Sequence, residues 1–299
     1  MQRRHLLAFA PLSLLAAPVR AQSAPEILAR FPNGTFLENL VVEPEGRVLF
    51  TNYLARRIER WSEGAGAAML AEVPAYPVSL TALGDGRQAL AAHGASFLQG
   101  PAATRGTGSV LLLDGEGRVQ GRIALPEAIF PNGGVLLAPG RMLLADSALG
   151  RIWAVDLAAG TVAPWLDHPL LTPVEGQRNP GVNGLKRQGE HLLVSNSARR
   201  LLLRVPLAGG MPETLAQMTG GVDDFAVAAD GTIFAATHAT GIARLAPRAA
   251  TPDTIPAPGV EGSTAVALTP DGRALYALGT GGLTSGGRGE AVLARLAIA

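Results

Sequence analysis

Six times along the chain a polar or turn position precedes a short apolar run, a turn built on glycine, and a second apolar run. The four strongest copies open Glu38-Asn-Leu-Val-Val-Glu-Pro-Glu-Gly46, Asn132-Gly-Gly-Val-Leu-Leu-Ala-Pro-Gly140, Asn183-Gly-Leu-Lys-Arg-Gln-Gly189 and Asp223-Asp-Phe-Ala-Val-Ala-Ala-Asp-Gly231, and weaker copies end at Gly86 and Gly272. Glu38, Asn132 and Asp223 each stand eight residues ahead of their glycine and Asn183 stands six ahead, whereas a count of eight lands on Val78 and Thr264 in the weak copies. Apolar runs of strand length joined by glycine turns predict antiparallel strands. Their recurrence every roughly 40 to 54 positions predicts one repeat array rather than two domains.

The expected fold is all-β, a six-bladed β-propeller over residues 31–299. Blade one reads Leu40 to Val42, a turn at Glu45-Gly46, Val48 to Thr51, and a third strand from Arg57 to Trp61. Blade three repeats this with Val135 to Leu137, Met142 to Ala145 and Arg151 to Asp156. Blade two carries a Gly- and Ala-rich insertion between His93 and Ser109. Leu111 to Leu113 and Leu201 to Leu203 suit strands packed between sheets on both faces. The apolar segment Glu26 to Phe31 precedes the first complete blade, so residues 22–30 read as a tether and a closing strand that pairs beside the last blade and removes two open edges. Helical periodicity is nearly absent, which disfavours a parallel α/β fold.

Composition narrows the partners. At 47% hydrophobic and 16% charged the chain can build a large core, and a net charge of +1 without a basic run argues against nucleic acid. Nothing calls for more than a monomer or a weak dimer. Residues 1–21 read as an export signal: Arg3-Arg4, an apolar stretch from Leu6 to Ala17 too short for a membrane span, and a cut after Ala21. Arg3-Arg4-His5-Leu6-Leu7 resembles a twin-arginine signal, with an ordinary secretory signal as the alternative. The expected location is periplasmic or secreted, with no membrane span in the mature protein. The absence of cysteine removes disulfides and thiolate ligands, leaving hard oxygen donors.

If the inner strands start at one mouth of a central channel, the residues that open them face one another. Glu38, Asn132, Asn183 and Asp223 then form a central-channel metal site that suits one divalent ion, calcium first, with manganese, magnesium or zinc as substitutes. Taken singly, Asn132-Gly133 and Asn183-Gly184 read as turns; four donors in repeat phase favour the site. Return strands end in Asn52, His93, Asp146, Asn196 and His238, which come back to the same mouth. Asp146 and Asn196 are expected to orient the donors, and His93 and His238 are candidates to carry protons.

At Glu38-Asn39-Leu40, Asn132-Gly133, Asn183-Gly184-Leu185 and Asp223-Asp224-Phe225-Ala226 the chain resembles the SMP-30/gluconolactonase/LRE-like family, six-bladed propellers whose characterised members hydrolyse lactones with one divalent metal. The resemblance implies Glu38, Asn183 and Asp223 as metal ligands, Asn132 as a metal or substrate contact, and Asp223 as the proton-transferring carboxylate. An arginine that sugar lactonases of the family place two residues before that asparagine is Phe130 here, so a less hydroxylated substrate is expected. The same positions are similar to paraoxonase-type lactonases, which adds Asp224 beside the ion and substrate and places His93 near a catalytic histidine. The partner of that histidine is missing, since blade two opens Tyr76-Pro77-Val78-Ser79. The expected activity is metal-dependent opening of a lactone or small ester. A non-catalytic binding propeller with a structural metal and a strictosidine-synthase-like enzyme are the competing readings.

Overall fold

The computed structural model describes residues 24–177 and 179–298; the proposed export signal lies outside them. Six four-stranded antiparallel sheets surround one axis, and their inner strands are Leu37–Val42, Tyr76–Ala82, Pro131–Ala138, Val182–Gln188, Phe225–Val227 and Ser263–Leu268. The chain is a six-bladed β-propeller. Blade six takes its outermost strand, Glu26–Phe31, from the first part of the chain, paired from Glu26 opposite Arg295 to Phe31 opposite Ala291 with a shift of register between Ile27 and Ala29. Arg295 reaches Glu26 at 2.8 Å and Glu63 of blade one at 3.1 Å, but these are surface pairs, and closure rests mainly on the backbone ladder.

The core is divided among the six gaps between blades. Leu111 and Leu113 pack into the gap toward blade one and Leu112 against that toward blade three, as successive side chains of a strand must when both faces are covered. Leu201 and Leu203 face blade three while Leu202 faces blade five. Blades one to five each have a fourth, outer strand, such as Gly66–Glu72 and Thr161–Asp167, that the hydrophobic pattern did not show; no residue of either is fully buried and neither carries a clean alternation. Among the described residues no helix is long and apolar enough to cross a membrane.

Five of the six blade junctions carry a hydroxyl clasp. Thr51 Oγ1 donates to the carbonyl of Val78 (3.0 Å), Ser79 Oγ to Asn132 (2.5 Å), Ser147 Oγ to Val182 (2.6 Å), Ser197 Oγ to Val222 (2.7 Å) and Thr264 Oγ1 to Leu37 (2.7 Å). Four of the acceptors belong to, or immediately precede, Glu38, Asn132, Asn183 and Asp223. The residues that open the strongest repeats are therefore each fixed by a hydroxyl from the blade before.

Candidate functional site

Glu38, Asn132, Asn183 and Asp223 line one cavity of ≈ 380 Å³ at the mouth where the inner strands begin. Val78 and Thr264, at the corresponding places in the weak repeats, are fully buried in packing and in the blade-six clasp. The Asn-Gly pairs are not turns here: both lie within inner strands, and the glycines serve close approach. A Cβ on Gly133 would collide with the backbone of Asn183, and one on Gly184 would lie 2.7 Å from Asp224 Oδ1. Only glycine lets neighbouring inner strands bring their leading side chains this near.

Serine fixes both asparagines. Ser147 and Ser197 each use their one proton on a backbone carbonyl, so each hydroxyl is an acceptor toward Asn132 Nδ2 (3.1 Å) and Asn183 Nδ2 (3.1 Å). Both amide nitrogens are thus anchored and the amide oxygens are turned away from the serines. Asn183 Nδ2 also lies 2.6 Å from Asp223 Oδ1. The hydrogen bonds of Asp146 and Asn196 go elsewhere, to the loop at Ile129-Phe130 and to the carbonyls of Leu170 and Thr172; the residues that follow them hold the asparagines.

The charge in this cavity is poorly compensated. Burial, and then the neighbouring Asp223 and Asp224, push the Glu38 carboxyl well above the usual range. Burial also raises Asp223 to about 6, while His238 and the Asn183 amide pull in the opposite direction. Glu38 Oε2 is buried with no hydrogen-bond partner, a costly state for an oxygen bearing charge. A bound cation relieves both problems, so the residues fit a hard divalent ion. Among the described residues no three His, Cys, Asp or Glu side chains are grouped to hold a metal; the candidate donors here are two carboxylates and two carboxamides.

Two expected participants are placed elsewhere. His93 is fully buried and does not line the cavity; its Nε2 donates to the carbonyl of Pro131 (3.1 Å) and its Nδ1 accepts from Tyr53 Oη (3.2 Å). Burial depresses its pKa to about 4, which leaves a neutral strut behind Phe130 rather than a proton carrier. Asp224 turns away from Glu38 into the channel farther along the inner strands, in a cavity of ≈ 500 Å³, where Lys186 Nζ pairs with it at 2.6 Å and Asn39 donates to it at 3.2 Å. Phe130 does line the donor cavity, with Phe36 and Phe97.

The histidine at the site is His238. Its Nε2 is 3.1 Å from Asp223 Oδ2, and its backbone takes the left-handed φ of 58°, rare for a side-chain-bearing residue and shared here by Arg56, Arg200 and Arg248. The sequence put it at the end of a return strand, but that strand, Ile233–Ala235, stops before it, and its pairing with Asp223 could not be read. The late loop contributes Thr284 and Ser285 to the cavity wall.

No protein-family model matches the sequence, and no curated protein matches it significantly. Solved structures do. A gluconolactonase from Xanthomonas campestris is 15% identical with a TM-score of 0.68, over 93% of this chain and 96% of that one. A calcium-binding protein, regucalcin, from Agrobacterium tumefaciens is 17% identical with a TM-score of 0.63, over 92% and 95%. A virginiamycin B lyase from Staphylococcus aureus is 13% identical with a TM-score of 0.60, over 89% and 82%. At these identities the likeness establishes the fold, and that fold carries more than one chemistry.

Proposed function

We propose that the protein is a metal-dependent hydrolase that opens a lactone or a similar small ester. The observation that carries this reading is the unpartnered, buried Glu38 Oε2 on a cavity wall shared with Asn132, Asn183 and Asp223. The resemblance of the repeat motifs to SMP-30/gluconolactonase-type enzymes and the fold shared with a gluconolactonase support it. Glu38, Asn183 and Asp223 would hold the ion, with Asn132 beside it, and the all-oxygen donor set favours calcium over manganese, magnesium or zinc. When bound, such an ion polarises the ester carbonyl and stabilises negative charge on its oxygen.

The proton chemistry falls to the chain itself. Asp223, the carboxylate of the cavity whose two oxygens are both held in place, takes a proton from the attacking water. Asn183 and His238 hold its two oxygens, at 2.6 and 3.1 Å, and so fix its direction. The water oxygen adds to the carbonyl carbon, the ring C–O bond breaks, and the proton held on Asp223 passes to the departing alkoxide. One hydroxy acid results and Asp223 is left ionised. Phe36, Phe97 and Phe130 limit water around the site. Reading residues 1–21 as an export signal places this activity in the periplasm or outside the cell.

Turnover of a panel of γ- and δ-lactones by purified protein, with and without chelator, tests the proposal. Chelator-sensitive hydrolysis that falls on the order of a hundredfold or more in Asp223→Asn, with an unchanged circular dichroism spectrum, is expected. Ligand binding without turnover would make the protein a binding module, and metal-independent condensation would make it a synthase.

A further inference from the structure

The cavity that holds Glu38 and Asp223 adjoins a second one of ≈ 300 Å³, and the two share Phe97, Phe130, Asn179 and Pro180. Pro101, Ile129, Ala148 and Pro173 are among its other walls, and none of its described lining residues is charged. Two polar groups on its wall are committed elsewhere: Thr104 Oγ1 donates to Pro101 and Ser147 Oγ to Val182. The other polar side chains on its wall, Gln177 and Asn179, belong to exposed residues, so its buried wall offers little to recognise a polyhydroxylated molecule.

Its aromatic wall is held in place. Phe97, on a short turn of helix in the blade-two insertion, stacks on Phe130 with ring centroids 5.8 Å apart and planes 18° from parallel. The Phe97 N–H donates to Tyr53 Oη (2.8 Å) and the Phe130 N–H to Asp146 Oδ1 (3.0 Å), so buried groups fix both backbones. Both rings are only half-buried, which leaves apolar surface facing the cavities.

We propose that this second cavity is the subsite for a hydrocarbon substituent of the substrate, so that the molecule opened is a lactone or small ester carrying an apolar chain beside its scissile group. The scissile group rests on the hydrolase reading above; the subsite does not.

The test compares γ-valerolactone with γ-decalactone. Burying a chain in a preformed apolar cavity is worth roughly fourfold in kcat/KM per methylene, so the longer substrate is expected to be favoured at least about tenfold. Ala148→Phe, which fills the second cavity from its wall, and Phe130→Ser, which removes half of the stacked pair, should each bring the ratio toward one. A wild-type ratio near one, or a ratio that neither variant moves, overturns the subsite. If neither lactone is opened, the hydrolase reading fails separately. Calorimetry with the unhydrolysed γ-valerolactam and γ-decalactam then decides the subsite: tighter binding of the longer lactam, lost in Ala148→Phe, supports it, and equal binding sinks it.

Discussion

Tyr53 Oη donates to Nδ1 of His93 across 3.2 Å, and the direction is forced: the other ring nitrogen of His93 faces the carbonyl of Pro131, which can only accept. Burial raises the Tyr53 phenol, which therefore stays protonated, and the same hydroxyl accepts from the Phe97 N–H at 2.8 Å. A single neutral tautomer thus ties blade one, the blade-two insertion and the residue preceding Asn132. The arrangement has a pH signature.

His93 has a folded pKa of about 4 against an ordinary 6.5, so between those values the unfolded chain binds the proton and the folded one does not. Stability is complete above about pH 6.5 and declines as the pH falls toward about 4, by about 3 kcal/mol for this residue. Chemical denaturation across this window should show that slope, and His93→Gln should flatten it while lowering stability at neutral pH by about 1 to 3 kcal/mol. An identical slope in the variant would assign the effect to other groups.

Ser197 joins Asn183 to the backbone ahead of Asp223. Ser197→Ala leaves the Val222 carbonyl and the Asn183 amide each without that partner. A loss of about 1 to 2 kcal/mol is expected, with divalent-ion affinity weaker by roughly tenfold or more, as measured by calorimetry. Undiminished affinity would show that the hydroxyl only staples the blades.

Gly133 faces the Asn183 carbonyl with no room for another carbon. Gly133→Ala must therefore separate two inner strands and should cost at least about 3 kcal/mol in denaturant unfolding. Gly140, at φ 77° on an open turn with nothing near its missing side chain, is a useful comparison. Gly140→Ala should cost only the roughly 1 kcal/mol of a left-handed backbone.

Glu38→Gln separates stability from chemistry. In chelator the variant should melt no lower than the parent, because it replaces a buried carboxyl whose ionisation burial and two neighbouring carboxylates oppose and whose Oε2 has no partner. With calcium at about a hundred times its dissociation constant the parent should gain roughly 2.7 kcal/mol and the variant well under half of that. Equal gains in both would remove Glu38 from the ion site.

The architecture was legible because each blade repeats a glycine-punctuated hairpin, and the leucine triplets announced strands covered on both faces. The outer strands of blades one to five were not legible: Thr161–Asp167 alternates in neither burial nor polarity, because every position is at least partly exposed. Repeat phase singled out Glu38, Asn132, Asn183 and Asp223, and the fold places all four on one cavity. Phase says nothing of where a side chain turns, so Asp224 was grouped with Asp223 although the two, just ahead of the strand Phe225–Val227, face different cavities. His93 closes its strand, Gln88–His93, and is sealed behind Phe130, whereas His238 lies beyond the end of Ile233–Ala235, in a left-handed bend, and meets Asp223. Ser147 and Ser197, each just after a polar strand end, were the signal overlooked.

Blade six draws its rim from Glu26–Phe31 and its other three strands from residues 263–297. During synthesis the earliest segment must therefore wait, with an unsatisfied edge, until nearly every other residue has been made. Its pairing spans almost the whole polymer and should be the slowest contact to form, so an arc of five finished blades is the natural last waypoint before the circle shuts. Whatever shelters that segment in the meantime governs how much of the protein matures and how much is lost to clumping.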